Sequence, residues 1–245
     1  MKRIALFIPC LIDLSMPDTG LHMADLLEHA GFTVVCPENQ TCCGQPAFNT
    51  GFREEGLPYA RHFLEIFERE AVDAIVSPSG SCTAMVKIHY GELSLTQCER
   101  ESWNRLRDHI YEFCEFFSEF APLEQFTFQG AEKILFHDPC HLLRELGVEE
   151  APRRLLARVA GIDLFPSPPA RCCGFGGTFS VKYPDLSVKM TDTRLDELLQ
   201  NRDVDTLLTA DPSCLIQIRG RARERGLSIQ CEHIIDFLHR CWVHE

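Results

Sequence analysis

The chain carries two sets of four cysteines that occur in the same order. In both sets an equal interval separates a lone cysteine from an adjacent pair, and a fourth cysteine follows the pair at a similar distance. The first set is Cys10, Cys42, Cys43 and Cys82, and the second is Cys140, Cys172, Cys173 and Cys214. Scaffold residues repeat as well, because Ala-Gly-Phe at 30–32 and Ala-Gly-Ile at 160–162 are offset by the same interval as the two pairs. Such a repeat predicts two similar domains.

A glycine follows each pair, at Gly44 and Gly174. Adjacent cysteines in a regular strand point to opposite faces, so both reach one site only where the backbone turns, and glycine permits such a turn. Four converging thiolates repel one another, and a bound metal ion or metal–sulfur cluster offsets this repulsion. We therefore interpret each set as a ligand cage in its own pocket, with all eight cysteines as metal ligands. Zinc also binds four thiolates, but its sites usually contain close Cys-x-x-Cys pairs, which both sets lack.

Apolar runs and turn residues indicate strands and helices in alternation. The pattern predicts strands at 2–9, 33–36, 72–76, 134–136 and 207–209, and helices at 21–30, 57–70, 103–120, 153–159 and 215–225, with another helix opening at Cys82. Strands that alternate with helices form parallel sheets covered by helices, so we expect an α/β fold. The domains should comprise residues 1–123 and 131–245, joined by a linker at 124–130 and ending in a terminal segment at 229–240. The proposed ligands then fall at strand ends, where open parallel sheets place their ligands.

Composition excludes several classes of protein. A net charge of −12 and a pI of about 5.3 argue against nucleic-acid binding, because phosphates require a basic surface. No apolar run is long enough to span a membrane, and residues 1–9 lack the apolar region of a secretory signal peptide. We therefore expect a cytoplasmic protein, in which clustered thiols stay reduced and bind metals or perform redox chemistry.

Three motifs carry a resemblance to a known family: CCGQPA at 42–47, PSGSC at 78–82 and CCGFGGTFS at 172–180. With them the chain resembles the lactate utilisation protein A family, whose cysteine-rich CCG domain also occurs in heterodisulfide reductase and in the glycolate oxidase iron–sulfur subunit. The resemblance covers nearly the whole chain. It implies two tandem pseudo-symmetric CCG domains, each a small parallel sheet flanked by helices and each binding an iron–sulfur cluster.

The resemblance also implies a function and partners. The chain would be a non-autonomous electron-transfer subunit of a complex that oxidises L-lactate, or a related 2-hydroxy acid, to pyruvate. Its partners would be a ferredoxin-like iron–sulfur protein and a third lactate-utilisation subunit. Heterodisulfide reductase ends its motif in Cys-x-x-Cys, but the first position is Ser79 in one half of this chain and Asp211 in the other. An ordinary 4Fe-4S cluster is therefore favoured over the non-cubane form. The alternatives are thiol–disulfide redox chemistry like that of heterodisulfide reductase, and a scaffold that binds zinc in one or both sites.

The other cysteines lack partner spacing and should act mainly as small buried apolar side chains. They are Cys36, Cys98, Cys114, Cys231 and Cys241, of which Cys36 could reach the first site. Two histidines, His137 and His141, flank Cys140, and a helix-start histidine bonded to the backbone is favoured over a ligand or proton donor. In the alternative role, His141 would donate to a cluster sulfur and raise its reduction potential.

Four more features receive structural interpretations. His233 should pack in the core, and the glycines at 174, 176 and 177 indicate close backbone approach rather than a phosphate-binding loop, since their spacing fits no such motif. Arg171 and Lys182 could offset the negative charge of a thiolate-ligated cluster.

Overall fold

Two four-stranded parallel sheets, one in each half of the chain, form the framework of the protein. The computed structural model describes residues 2–243. The strands are β1 (Arg3–Leu6), β2 (Thr33–Val35), β3 (Ala74–Ser77), β4 (Ile110–Glu112), β5 (Phe128–Gln129), β6 (Lys133–His137), β7 (Val159–Ala160), β8 (Asp163–Phe165), β9 (Thr206–Thr209) and β10 (Gln230–His233). The strand orders β2-β1-β3-β4 and β8-β6-β9-β10 are equivalent, and β5 pairs with β7 in a third, two-stranded sheet. The α/β fold and the predicted duplication are confirmed.

Helices connect successive strands and cover the sheets. They are α1 (Cys10–Ser15), α2 (Pro17–His29), α3 (Gln45–Asn49), α4 (Arg53–Arg69), α5 (Gly80–Lys87), α6 (Gln97–Leu106), α7 (Phe113–Phe120), α8 (Cys140–Arg144), α9 (Glu150–Leu156), α10 (Thr178–Lys182), α11 (Pro184–Leu199), α12 (Pro212–Glu224) and α13 (Ile234–Cys241). Within residues 2–243, none of these helices combines the length and the apolar composition that crossing a membrane requires.

The sequence prediction missed edge strands in both sheets. The helix predicted at 103–120 is interrupted by β4, and the terminal segment at 229–240 begins with β10. Both strands are too short for a periodic signal, and each is fixed by pairing with the neighbouring parallel strand. The predicted helix at 153–159 lies at Glu150–Leu156 instead, and the predicted linker contains β5. The domain ranges 1–123 and 131–245 stay predictions, and Met1, His244 and Glu245 lie outside the described residues.

Helix pairs that obey the internal symmetry dock the two domains. Helix α5 contacts α8 and α1 contacts α12, while α2 packs against α13 and α7 against α9. Gly80 permits close approach of α5 to α8, because a Cβ atom there would lie 2.8 Å from Cβ of Leu142. The largest apolar core contains residues of both halves, including Leu27, Phe117 and Phe237. As a result, the cysteine-bearing ends of the two sheets face each other.

Candidate metal centre

All eight predicted ligands line one cavity of about 380 Å³ between the domains. The wall is formed by both sets of cysteines, Cys10, Cys42, Cys43, Cys82, Cys140, Cys172, Cys173 and Cys214. The structure therefore brings each set together, as the spacing predicts. The expectation of a separate pocket in each domain is wrong, because the crosswise docking of helices joins the two sites into a single cavity.

The first set gathers at the carboxyl end of the first sheet. Cys10 is the first residue of α1, and Cys82 lies in the first turn of α5. The Cys43 thiol donates a hydrogen bond to the Cys82 sulfur at 3.4 Å, and the Cys42 thiol interacts with those of Cys10 and Cys43. The backbone N–H of Gly44 donates to the Cys42 sulfur at 3.4 Å. The four cysteines therefore lie together at one end of the sheet.

The second set repeats this arrangement. Cys140 begins α8 and Cys214 lies in the first turn of α12. The Cys172 thiol interacts with those of Cys140 and Cys173, and the Cys173 thiol interacts with that of Cys214. The Gly174 N–H donates to the Cys172 sulfur at 3.4 Å, as in the first set. Two chemically similar thiol sets therefore face each other across the cavity.

Glycine fixes the turn that aims each adjacent pair at its site. Gly44 has φ +84° and Gly174 has φ +92°, in the left-handed region where only glycine is unstrained. Helix α11 packs directly on the second turn, since the Ser187 hydroxyl donates to the Gly174 carbonyl and the Thr191 hydroxyl donates to the Cys173 carbonyl. In the first domain the Tyr90 hydroxyl donates to the Cys43 carbonyl at 3.1 Å. Both turns are thus held by buried hydroxyl groups.

Contacts among the thiols, together with burial, separate the pKa values of the cysteines within each set. Interaction with the Cys10 and Cys43 thiols lowers the pKa of Cys42 to about 3, and interaction with Cys140 and Cys173 lowers the pKa of Cys172 to about 2. The same interactions, together with burial, raise the pKa of Cys10, Cys43, Cys140 and Cys173. Cys42 and Cys172 therefore ionise more readily than the thiols beside them, and binding of a metal by a whole set would release the protons of the other thiols.

An aspartate joins the two domains directly beside the cavity. Asp211 is buried, and its Oδ2 accepts hydrogen bonds from the Ser81 N–H at 2.8 Å and from the Ser79 hydroxyl at 3.2 Å. Its Oδ1 accepts from the Ser213 N–H at 3.0 Å and thereby begins α12. Ser79 and Asp211 occupy the positions at which the resemblance to heterodisulfide reductase would place a fifth cysteine in each half. These positions carry an interdomain hydrogen bond instead.

Comparison with known proteins places the chain in a family. The cysteine-rich domain family CCG matches residues 4–87 and again 134–219. Lactate utilization protein A of an Exiguobacterium species is 39% identical over 239 residues, which cover 97% of each chain. The Geobacillus protein of the same name is 39% identical over 238 residues, covering 96% of this chain and 98% of its own. The chain belongs to the lactate utilization protein A family.

A third relative agrees with this family assignment, whereas the similarity to solved structures is too low to support an argument. Lactate utilization protein A 2 of Bacillus cereus is 36% identical to this chain over 238 residues, which cover 96% of this chain and 97% of the Bacillus cereus protein. Among solved structures, a glutamate racemase of Bacillus anthracis aligns with 98% of this chain and 79% of its own at a TM-score of 0.37 and 11% identity. A likeness at that level carries no inference about function.

Two buried side chains of this family member escaped the sequence prediction. Arg194 of α11 is fully buried, and its Nε donates to Nδ1 of His137 at 3.1 Å. The backbone partner favoured for His137 is therefore wrong. A signal for Arg194 exists, because it lies at helical spacing from Thr191, Leu195 and Leu198 on the buried face of the helix. Burial and the Arg194 charge lower the pKa of His137 to about 3.

The remaining candidates have mixed outcomes. His141 lines the cavity, but its Nδ1 lies 2.9 Å from the carboxylate of Glu145, a side-chain partner instead of the favoured backbone partner. His233 is buried as predicted, and its Nε2 lies 3.1 Å from the Pro78 carbonyl of the other domain. Arg171 pairs with Glu197 at 2.8 Å and does not line the cavity. Lys182 lines a separate surface groove that includes Cys42.

The cysteines outside the two sets differ in exposure. Cys114 and Cys241 are buried as predicted, and Cys231 is half-buried. Cys98 is exposed, which contradicts its predicted role as a buried apolar side chain. Cys36 is also exposed, and it lies in a surface pocket behind Cys10 and Cys42 rather than in the shared cavity.

The donor set fits a metal centre in each domain. The four cysteines of each set line the same cavity, a backbone N–H group is directed at one sulfur of each set, and two thiols of each set lie in the first turn of a helix, where the helix dipole favours anions. The cavity offers room for inorganic atoms beside both sets. Soft thiolates select iron–sulfur clusters, zinc or copper(I) over hard cations.

Proposed function

We propose that this protein is the iron–sulfur-binding electron-transfer subunit of a cytoplasmic complex that oxidises L-lactate, or a closely related 2-hydroxy acid, to pyruvate. The observation that carries the proposal is the cavity lined by eight cysteines in two equivalent sets. The names of the curated relatives supply the link to lactate utilisation. All 13 cysteines are free thiols, which suits a reducing compartment.

The ligands in this proposal are the eight cysteines, with one 4Fe-4S cluster at each set. A bound iron–sulfur cluster supplies reversible electron uptake. The chain itself provides the cage and a largely buried environment, because Cys43, Cys82, Cys173 and Cys214 are buried. Burial limits solvent access to the sulfurs, which is one of the factors that set a cluster potential.

Partners complete the reaction in this proposal. Oxidation of lactate to pyruvate releases two electrons and two protons, and the chain carries no flavin or nicotinamide fingerprint to accept them as hydride. A third lactate-utilisation subunit would therefore take part in substrate oxidation. A ferredoxin-like iron–sulfur protein would exchange electrons with the clusters of this chain.

A combined metal and activity measurement tests the proposal. Anaerobically purified protein should contain iron and acid-labile sulfide, and lactate-driven dye reduction should require this chain together with both partners. Cys43→Ser and Cys173→Ser should each remove about half of the iron and abolish dye reduction, because each breaks one cage. Cys98→Ser changes an exposed cysteine outside both sets and is the matched control, with unchanged iron content.

Three results would reject or change this assignment. Protein that contains iron and sulfide but leaves lactate oxidation unaffected does not belong to the lactate complex. Disulfide reduction that is independent of lactate would assign the thiol–disulfide chemistry instead. Loss of all iron from a single cysteine substitution would mean that the eight thiols hold one shared group.

Zinc is a second candidate, and one distance favours it. The sulfurs of Cys43 and Cys82 are 3.4 Å apart. A tetrahedral zinc ion with Zn–S bonds of about 2.3 Å places its sulfurs about 3.8 Å apart, close to this value. A structural zinc scaffold would contain one zinc ion per set and no sulfide. The same elemental analysis therefore separates the two candidates.

A further inference from the structure

A buried pair of basic side chains distinguishes the second cysteine set from the first. His137, at the end of β6, and Arg194, in α11, are both fully buried. The Arg194 Nε donates to His137 Nδ1 at 3.1 Å, and its Nη1 donates to the Pro169 carbonyl at 2.8 Å. Glu197 is 3.7 Å from the guanidinium and balances part of its charge. These contacts anchor the guanidinium.

The arginine determines which nitrogen of His137 carries hydrogen. A guanidinium only donates hydrogen bonds, so Nδ1 of His137 must accept and cannot carry a proton in this arrangement. The proton of the ring therefore resides on Nε2. A protonated Nε2 has no lone pair for a metal ion, and it acts as a hydrogen-bond donor.

That donor has no acceptor among the residues that the structure describes. Nε2 of His137 is buried without a hydrogen-bond partner, and so is Nη2 of Arg194. Leaving a buried donor unpaired costs about 1–3 kcal/mol, so such a group normally serves a ligand or a bound ion. A ring nitrogen of His137 lies within 4.8 Å of the sulfurs of both Cys173 and Cys214. Sulfur at the second centre is the acceptor within reach.

The first cysteine set has apolar residues at the corresponding positions. The offset that relates Cys10 to Cys140 also relates Phe7 to His137 and Leu64 to Arg194. Both Phe7 and Leu64 are buried in an apolar core, and Phe7 packs edge-on against Phe63 at 5.0 Å. The two halves therefore have similar sulfur ligands but opposite polarity behind them.

We propose that His137 donates its Nε2–H to a sulfur of the second centre, that Arg194 is the positioning residue that fixes this donor, and that the two centres consequently differ in reduction potential. The inference rests on the proposed function. A hydrogen bond to sulfur stabilises the more negative, reduced state, so the second centre is the easier one to reduce. With clusters bound at both sets, an electron shared between them would reside mainly at the second set, beside His137, without transfer of a proton.

Redox titration of the holoprotein followed by electron paramagnetic resonance tests the inference. The signals of the two centres are assigned by their loss in Cys43→Ser and Cys173→Ser. His137→Phe, which copies the first half, should lower the ratio of reduced to oxidised second centre about tenfold at a fixed potential, equivalent to about 59 mV for one electron. His137→Gln keeps an N–H donor near the same place and should restore part of the shift. Phe7→Leu is the matched control and should leave the second centre unchanged.

The outcomes separate this inference from the proposed function. Absence of iron and sulfide from the wild-type protein overturns both. If the protein binds two clusters and His137→Phe leaves both reduction potentials unchanged, the inference is overturned and the proposed function stays intact. Where His137→Phe loses its second cluster, Arg194→Leu decides, because it keeps the histidine but frees its tautomer. A downward shift of the second centre in that variant supports the inference, and an unchanged potential overturns it.

Discussion

Gly174 shows how a single residue controls the second cysteine pair. A Cβ atom at this position would lie 2.6 Å from the Ser187 carbonyl oxygen and 2.8 Å from the Thr191 hydroxyl. At Gly44 the nearest atom would be the Gly56 carbonyl oxygen at 3.2 Å, so the first turn is less crowded. The second centre therefore has less tolerance for any side chain at its glycine.

Gly174→Ala should impair the second centre. Positive φ and the clash with α11 together should cost about 2 kcal/mol or more and displace Cys173 from its set. We expect about half of the bound metal to be lost and the unfolding temperature to fall, as measured by elemental analysis and thermal unfolding. Gly220→Ala, at an exposed helical position with nothing within 4 Å, should retain all metal and stabilise the protein slightly. Full metal content in Gly174→Ala would show that the turn tolerates a side chain.

For individual residues, the sequence spacing predicted that the cysteines of each set lie together and that a glycine turns the backbone after each adjacent pair. A repeated order of reactive side chains can be recognised in the sequence before the fold is known. Arg194 and His137 were not predicted as partners, because they lie far apart in the chain and an arginine is usually exposed. Only the packing of α11 against β6 reveals the pair.

Helix α7 begins at a carboxylate buried against the first sheet. Glu112 is fully buried, and its Oε2 accepts hydrogen bonds from the Cys114 N–H at 2.8 Å and the Glu115 N–H at 3.4 Å. Burial nevertheless raises the pKa of Glu112 from 4.5 to about 8. The group therefore retains its proton in the folded protein at pH values where the unfolded chain has released it.

Glu112→Gln should change how stability depends on pH. Between pH 4.5 and about 8 the unfolded chain binds fewer protons at this position than the folded protein, so wild-type stability falls as pH rises through this window. Glutamine has no proton to lose, and the variant should be more stable than wild type near pH 8 by on the order of 3 kcal/mol. Urea unfolding at several pH values measures the effect. Glu119→Gln, exposed on the same helix, should reproduce the wild-type profile.

The central strands, the edge strand β2 and the helices α2, α4 and α12 were predicted correctly, whereas the edge strands β4, β8 and β10 and the helix α11 were not. β1 carries the uninterrupted apolar run Ile4, Ala5 and Leu6, which is typical of a strand buried on both faces. β10 has the sequence Gln-Cys-Glu-His, without any apolar run, and it forms because β9 offers a parallel partner. Such a strand is determined by the strand that pairs with it and not by its own sequence.

The interdomain seam is the set of hydrogen bonds that Asp211 accepts from Ser79 and Ser81 beside the cavity, and it depends on the Asp211 carboxylate. Asp211→Ala would leave the buried Ser81 N–H without its acceptor, at a cost of about 1–3 kcal/mol, and would also remove the cap of α12. We expect a lower unfolding temperature and faster alkylation of the cavity cysteines, mapped by mass spectrometry. Asp203→Ala removes an aspartate whose side chain is 86% exposed and should change both quantities very little. Equal effects of the two substitutions would argue against the seam as the determinant of access.

For the whole molecule, the sequence predicted two similar α/β domains but not their common cavity. The duplication is visible as a repeat, whereas docking results from contacts such as Gly80 with Leu142, which have no periodic signature. Two tandem units in the sequence therefore lead to the expectation of two separate pockets. In the structure, the packing of α5 against α8 and of α1 against α12 produces one cavity instead.

The crosswise helix contacts have a consequence for the smallest functional unit. Since the walls around each sulfur set include residues of the opposite half, either half expressed alone would present its thiols to water. Two copies of one half, related by a true twofold axis, would close the same chamber with identical sides. The covalent tandem chain removes that equality, and it allows one side of the chamber to carry charges that the other side lacks.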